Sequence, residues 1–223
     1  MTELLSVDTK RKEMLEIDKG SEIRFVKIGS VEVIAGCMFS GKTEELMRRL
    51  RRAKIAKHQI QVFKSDLDVR YNKDKLASHS GKEFEATPVK EVQQIKKLLR
   101  PHTSVVAIDE AQFFGNEIIP FVQELADNKY RVIVAGLDAD FRGEPFGAVP
   151  ILMAQADKLK KFYAICMVCG ESASFTQRLI NGRPARYEDP IVVVGASELY
   201  EARCRDHHEV PGKPQTNIKD KNE

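Results

Sequence analysis

Short runs of Val and Ile recur along the chain, bounded by Gly, Asp or Ser and separated by stretches whose apolar residues return at helical intervals. Val31–Ala35, Ile60–Lys64, Val105–Asp109 and Arg131–Leu137 read as strands buried on both faces. Thr43–Lys57, Val89–Leu99 and Asn116–Asn128 read as the helices between them. Strands alternating with helices predict an α/β fold, a parallel sheet with helices on both faces. "FGAVPILMAQADKL" predicts one more helix, and "KFYAICMVC" a strand leading out of that core. From Cys166 to His208 the helical rhythm stops. The pattern therefore divides the chain into a charged extension (1–28), an α/β domain (29–160), a small second unit (161–210) and a tail (211–223). The tail is too poor in apolar residues to pack and is expected to be disordered.

The basic run "RRLRRAKIAKH" changes this picture little. Leu46, Leu50 and Ala53 share one helical face, while Glu44 and Glu45 precede Arg48 and Arg49 by the favourable ion-pair interval. A solvated helix face explains the run without a nucleic acid. The formal charge of +3 is small beside 36 basic and 33 acidic residues, which also argues against a dedicated nucleic-acid binder. No apolar run approaches a membrane span, and the first twenty residues lack the apolar segment of a secretory signal. A cytoplasmic location is expected. The four cysteines, at 37, 166, 169 and 204, are too few for a disulfide framework in a chain of 223 residues.

Candidate chemistry begins at "GCMFSGKT", which fits G-x-x-x-x-G-K-[ST] between a predicted strand and a predicted helix. In that setting Gly36, Cys37, Met38, Phe39, Ser40, Gly41, Lys42 and Thr43 form a phosphate-binding loop. Backbone N–H groups at the helix start face the phosphates of a nucleoside triphosphate; Lys42 adds positive charge and Thr43 a hydroxyl for Mg²⁺. Cys37 reads as a packing residue rather than a nucleophile. "VVAIDEAQFF" ends a buried strand in two adjacent carboxylates, which repel unless a cation shares the site. Asp109 is placed to hold Mg²⁺, directly or through water, leaving Glu110 to act as a base or to orient the attacking group. D-E-A-Q also suits a helicase, but such a motor needs a second nucleotide-facing domain and little chain remains for one. A GTPase needs Asn-Lys-x-Asp, and the nearest run, "DNKY", lacks the Asp.

Cys166-x-x-Cys169 and Cys204-x-x-His207 supply four ligands, the donor set of a closed structural Zn²⁺ site. His208 is also available, and only the spacing prefers His207. Zinc there would clamp both ends of residues 170–203 into a tethered loop able to close over a substrate.

Taken together, "GCMFSGKT", "VVAIDEAQFF", "VAGLDADFRGEPFG", "CMVCGESASFTQR", "VVVGASELYEARC" and "CRDH" resemble the type II (cellular-type) thymidine kinases, in that family's order and over about residues 31–208. The resemblance implies transfer of the γ-phosphate of ATP to the 5′-hydroxyl of thymidine or deoxyuridine with Mg²⁺. It places Glu110 on the general base, and matches Asp68, Asp109, Ala111 and Gln112 to the ATP site along with the loop. Arg70 is a plausible phosphate contact, with an exposed arginine as the alternative. Around thymine and deoxyribose the resemblance places Phe141, Ile191, Val192, Val193, Val194, Gly195 and Tyr200, then Met38, Leu137, Phe146 and Thr176. Read alone, "IVVVG" is a buried strand and Phe141 a core residue. Phe113 and Phe114 are expected to wall the pocket. The resemblance further implies a homotetramer and inhibition by dTTP. The fourth metal position is His where the family has Cys, which tetrahedral zinc accepts.

Overall fold

The computed structural model describes residues 29–67, 84–192 and 199–214. Asp68, Arg70, Val193, Val194 and Gly195 lie outside the described residues, as does the extension over 1–28. Six strands form one parallel sheet: β1 (Ser30–Gly36), β2 (Ile60–Ser65), β3 (Ala86–Val89), β4 (Val105–Asp109), β5 (Arg131–Gly136) and β6 (Lys158–Phe162). Their order is β3-β2-β4-β5-β1-β6, and every neighbouring pair runs parallel.

Alternation along the strands sorts their side chains onto two faces. Val33, Val106, Ile108, Val132 and Val134 meet α2 (Val92–Leu98), α3 (Ile118–Asp127) and α4 (Val149–Gln155) on one face. Ile34, Val105, Ala107 and Ile133 meet α1 (Lys42–Ile55) on the other. In α1 the buried residues are Leu46, Met47, Leu50 and Ala53, the predicted stripe. Glu44 and Glu45 lie in its first turn and Arg52 and Lys54 in its last, each sign matched to the helix dipole. Glu45 bonds both Arg48 and Arg49, and Arg49 also reaches buried Glu32, which Arg131 binds from the next strand. The basic run is thus partly neutralised by the protein's own acids.

Several element bounds differ from the sequence reading; the helix expected over Asn116–Asn128, for one, spans Ile118–Asp127. α1 ends at Ile55, two residues early, because Lys57 takes the left-handed conformation (φ 59°). The helix expected from Val89 begins at Val92; Ala86–Val89 is instead the edge strand β3, where Pro88 is tolerated. Val89 misled because it, Val92 and Ile95 are all buried at helix-like spacing. The helix expected through Leu159 stops at Gln155, and "KLKKF" forms the other edge strand, too exposed and too rich in Lys to read as one.

Beyond Phe162 the chain forms a hairpin of β7 (Ala164–Ile165) and β8 (Ser172–Ala173). An antiparallel sheet follows, β10 (Arg183–Pro184), β9 (Phe175–Ile180) and β11 (Leu199–Arg203), with β9 central. Ile191 and Val192 belong to no strand and are exposed, so the buried-strand reading of "IVVVG" does not hold for its first two residues. Residues 211–214 of the expected disordered tail are exposed but tied to the fold by polar contacts: the Pro211 carbonyl accepts from the Tyr187 N–H, and Lys213 pairs with Glu144. No helix among the described residues is long and apolar enough to cross a membrane.

Candidate active site

The loop after β1 turns at Gly36, where φ is 145° and a Cβ would stand 2.4 Å from the Phe162 carbonyl oxygen. Only glycine permits that approach. The loop then folds on itself: Ser40 Oγ and Lys42 Nζ both donate to the Cys37 carbonyl at 2.8 Å, and Gly41 (φ 86°) opens α1. Cys37 is buried with its Sγ 3.4 Å from the Ala173 carbonyl, and burial pushes its thiol above the usual range. That suits packing and opposes nucleophilic use. Burial lowers the pKa of Lys42, while the charges of Glu110, Asp109, Cys37 and Asp138 act to raise it. The repulsion expected between Asp109 and Glu110 is therefore met in part by the loop's own ammonium.

Asp109 ends β4 as a buried side chain and accepts the Glu110 N–H at 2.9 Å. Glu110 itself adopts φ 53°, ψ 42°, a left-handed conformation uncommon outside glycine and enriched at functional sites. The turn aims its carboxylate at Gln112, whose Nε2 donates to Glu110 Oε2 at 2.5 Å. Gln112 Oε1 in turn accepts the Leu137 N–H at 3.0 Å, so one buried amide joins the acid to the end of β5. Ala111 is wholly buried beneath this turn, and Thr43 and exposed Phe39 complete the loop.

A cavity adjoins these groups. Met38 of the loop, Phe113, Leu137, Ala139, Asp140, Phe141 and Phe146 wall one side, and Thr176, Ile191, Val192 and Tyr200 the other. Phe113 and Phe146 meet edge to face at 5.8 Å. Thr176 Oγ1 accepts the Met38 N–H at 3.0 Å, stitching the second unit to the phosphate loop. Phe114 does not wall the cavity as expected; it is 3% exposed and packs in the sheet core. The free space is about 30 Å³, room for a water or two, so a larger ligand enters only if a wall moves. Ile191 and Val192 are the exposed part of the wall outside regular structure.

Three contributors escaped the sequence reading. Ala139 and Asp140 line the cavity, and Asp140 accepts from the backbone N–H groups of Arg142 and Glu144, which shapes the loop before Phe146. Asp140 stood in a quoted motif, but nothing distinguished it from a surface acid. Arg178 is 2% exposed, donates to the Pro190 carbonyl and lies 5.2 Å from the Phe141 ring centroid. An arginine on a short strand gives no sequence signal of burial.

In the second unit Cys166, Cys169, Cys204 and His207 converge, their ligand atoms all within 4.8 Å of one another. His207 Nδ1 is 3.2 Å from Cys204 Sγ and 3.8 Å from Cys166 Sγ; Cys169 and Cys204 sulfurs are 3.8 Å apart. A tetrahedral zinc about 2.3 Å from sulfur sets its ligands about 3.8 Å apart, so the four donors fit a metal such as zinc. His208 is turned away, its Nε2 2.8 Å from the Phe141 carbonyl.

A phosphate loop joining the first strand and helix of a parallel sheet, with an acidic strand end beside it, defines a P-loop α/β protein. The family model described as thymidine kinase matches residues 29–208. A protein named "Thymidine kinase" from Coprothermobacter proteolyticus is 59% identical over 192 residues, covering 86% of this chain and 96% of that protein. The chain belongs to the thymidine kinase family, whose members are phosphotransferases.

Proposed function

We propose that this chain transfers the γ-phosphate of ATP to the 5′-hydroxyl of thymidine, and of deoxyuridine, giving dTMP for salvage of DNA precursors. The observation that carries this reading is the junction of loop and cavity. Met38 belongs to both, and the turn from Asp109 to Phe113 runs from one to the other. A nucleoside in the cavity would present its 5′-hydroxyl beside Glu110, across from phosphates on the loop.

In this reading Glu110 takes the hydroxyl proton as the oxygen attacks the γ-phosphorus, and ADP leaves. Lys42 offsets charge on the transferring group, and the backbone of 36–43 fixes its line of approach. Thr43 and Asp109, two hard oxygen donors, would hold Mg²⁺, which supplies further charge neutralisation when bound with ATP. Asp68, Ala111 and Gln112 complete the ATP site. Phe141, Tyr200 and residues 191–195 enclose the base and sugar, and Ile191 and Val192 move aside to admit them. Zinc on the Cys₃His cluster is structural, tethering the chain that carries this wall.

Inhibition by dTTP follows from the same junction: its thymidine part suits the cavity and its phosphates point toward the loop. A homotetramer, a cytoplasmic location and the absence of nucleic-acid or membrane partners complete the reading, supported by the resemblance and the balanced charge. The test supplies γ-labelled ATP with each of the four DNA deoxynucleosides, deoxyuridine and uridine. Label should pass to thymidine and deoxyuridine; transfer no greater than to uridine would overturn the proposal.

A further inference from the structure

We propose that His208 is a positioning residue for the nucleoside: its Nε2–H holds the Phe141 carbonyl and so fixes the aromatic wall of the cavity. The inference rests on the thymidine reading above. A carbonyl oxygen only accepts, so in this 2.8 Å contact the hydrogen sits on Nε2. The imidazole is held for that task by stacking on Phe175, centroids 4.6 Å apart and planes 14° apart. The chain on either side is fastened too. His207 stands in the metal-ligand cluster. Gln177 grips Glu209 twice, donating to its carbonyl at 2.9 Å and accepting from its N–H at 2.8 Å.

The loop that carries Phe141 has its own internal bonds, from the Arg142, Gly143 and Glu144 N–H groups to Asp140. Those bonds set the loop's shape but not its place against the second unit. That place is fixed by His208 on the Phe141 carbonyl, by Lys213 on the Arg142 carbonyl and Glu144, and by Arg178 near the Phe141 ring. Of these, only His208 follows directly on a metal ligand, so the cluster's geometry passes to the cavity wall through one peptide unit.

Two substitutions separate positioning from space filling. His208→Phe keeps a ring on Phe175 and removes the donor; His208→Gln keeps a donor and removes the ring. His208→Phe is expected to raise thymidine KM three- to tenfold, the ratio for one lost hydrogen bond. Its kcat, ATP KM and zinc content should stay near wild type, and His208→Gln should recover most of the loss. If His208→Phe fails to retain metal, Phe175→Leu serves instead, with thymidine KM raised about two- to threefold by a less constrained imidazole. An unchanged thymidine KM in the folded variant would overturn the inference, as would a harmless His208→Phe beside a damaged His208→Gln. Wild-type protein that fails to phosphorylate thymidine would instead overturn the functional reading itself.

Discussion

The parallel sheet and the unit that follows it border one cavity but keep their shapes by different means. In the sheet, two layers of Val, Ile and Leu pack against helices on both faces, and most of their side chains are fully buried. Among the described residues of the second unit the apolar cluster is Ala164, Cys166, Ala173 and Ala202, joined by Cys37 of the phosphate loop, and Arg178 and Gln177 rank among the largest buried side chains. Stability in the first is spread over many interchangeable contacts. In the second it depends on a few polar bonds and the Cys₃His cluster, each hard to replace. The proposed chemistry follows that division: the reacting acid stands at the edge of the rigid sheet, and the wall that must move for substrate lies on the unit with the smaller core.

The comparison can be broken most sharply at the acid. Glu110→Gln should lower kcat about 10²- to 10⁴-fold, the usual contribution of a general base, while ATP binding persists. Steady-state kinetics with ATP titration checks this, and near-normal kcat would remove Glu110 from its role. In the sheet core, Leu50→Ala should cost about 2–5 kcal/mol. That corresponds to a fall in Tm of roughly 5–15 °C, measured calorimetrically, with thymidine KM unchanged in the remaining folded protein.

Cys169→Ser should do the reverse. Metal content falls, thymidine KM rises several-fold through the loosened wall, and the main thermal transition of the sheet moves by only about 1–2 °C. Full metal content with normal KM would defeat the tether argument.

The smallest effect is one of pH. Hydrogen bonds from Arg48 and then Arg49, outweighing burial, hold the Glu45 carboxyl at about 2, well below its ordinary 4.5. For Glu32 burial is the largest influence and opposes ionisation, but Arg131, Arg49 and Lys158 outweigh it and lower the pKa. The unfolded chain takes up these protons first, so their stabilisation is present above about pH 4.5 and is lost as pH falls toward 2. Glu45→Gln should therefore lower the urea midpoint slightly at neutral pH, leave it little changed near pH 2, and so flatten its dependence on pH across that window.

What could be read from the sequence divides along the same line. Val105–Asp109 was legible to the residue because a strand buried on both faces must be continuously apolar, and the phosphate loop because its chemistry tolerates few spellings. The edge strands were not: β3 carries Pro88 and β6 is mostly lysine, features that edges permit and centres forbid. In the second unit the four metal-ligand residues were legible by spacing, but the choice of His207 over His208 needed the observation that His208 reaches Phe141. Arg178 and Asp140 were illegible because burial of a charge depends on partners far away in the chain.

The most direct test of the division between sheet and second unit is equilibrium binding of thymidine to the Glu110→Gln protein, without ATP so that nothing turns over, before and after removal of its metal. The account predicts binding with an affinity close to the wild-type KM before removal, and a loss of tenfold or more afterwards. Binding already lost in the loaded variant, or unmoved by removal of the metal, would contradict it.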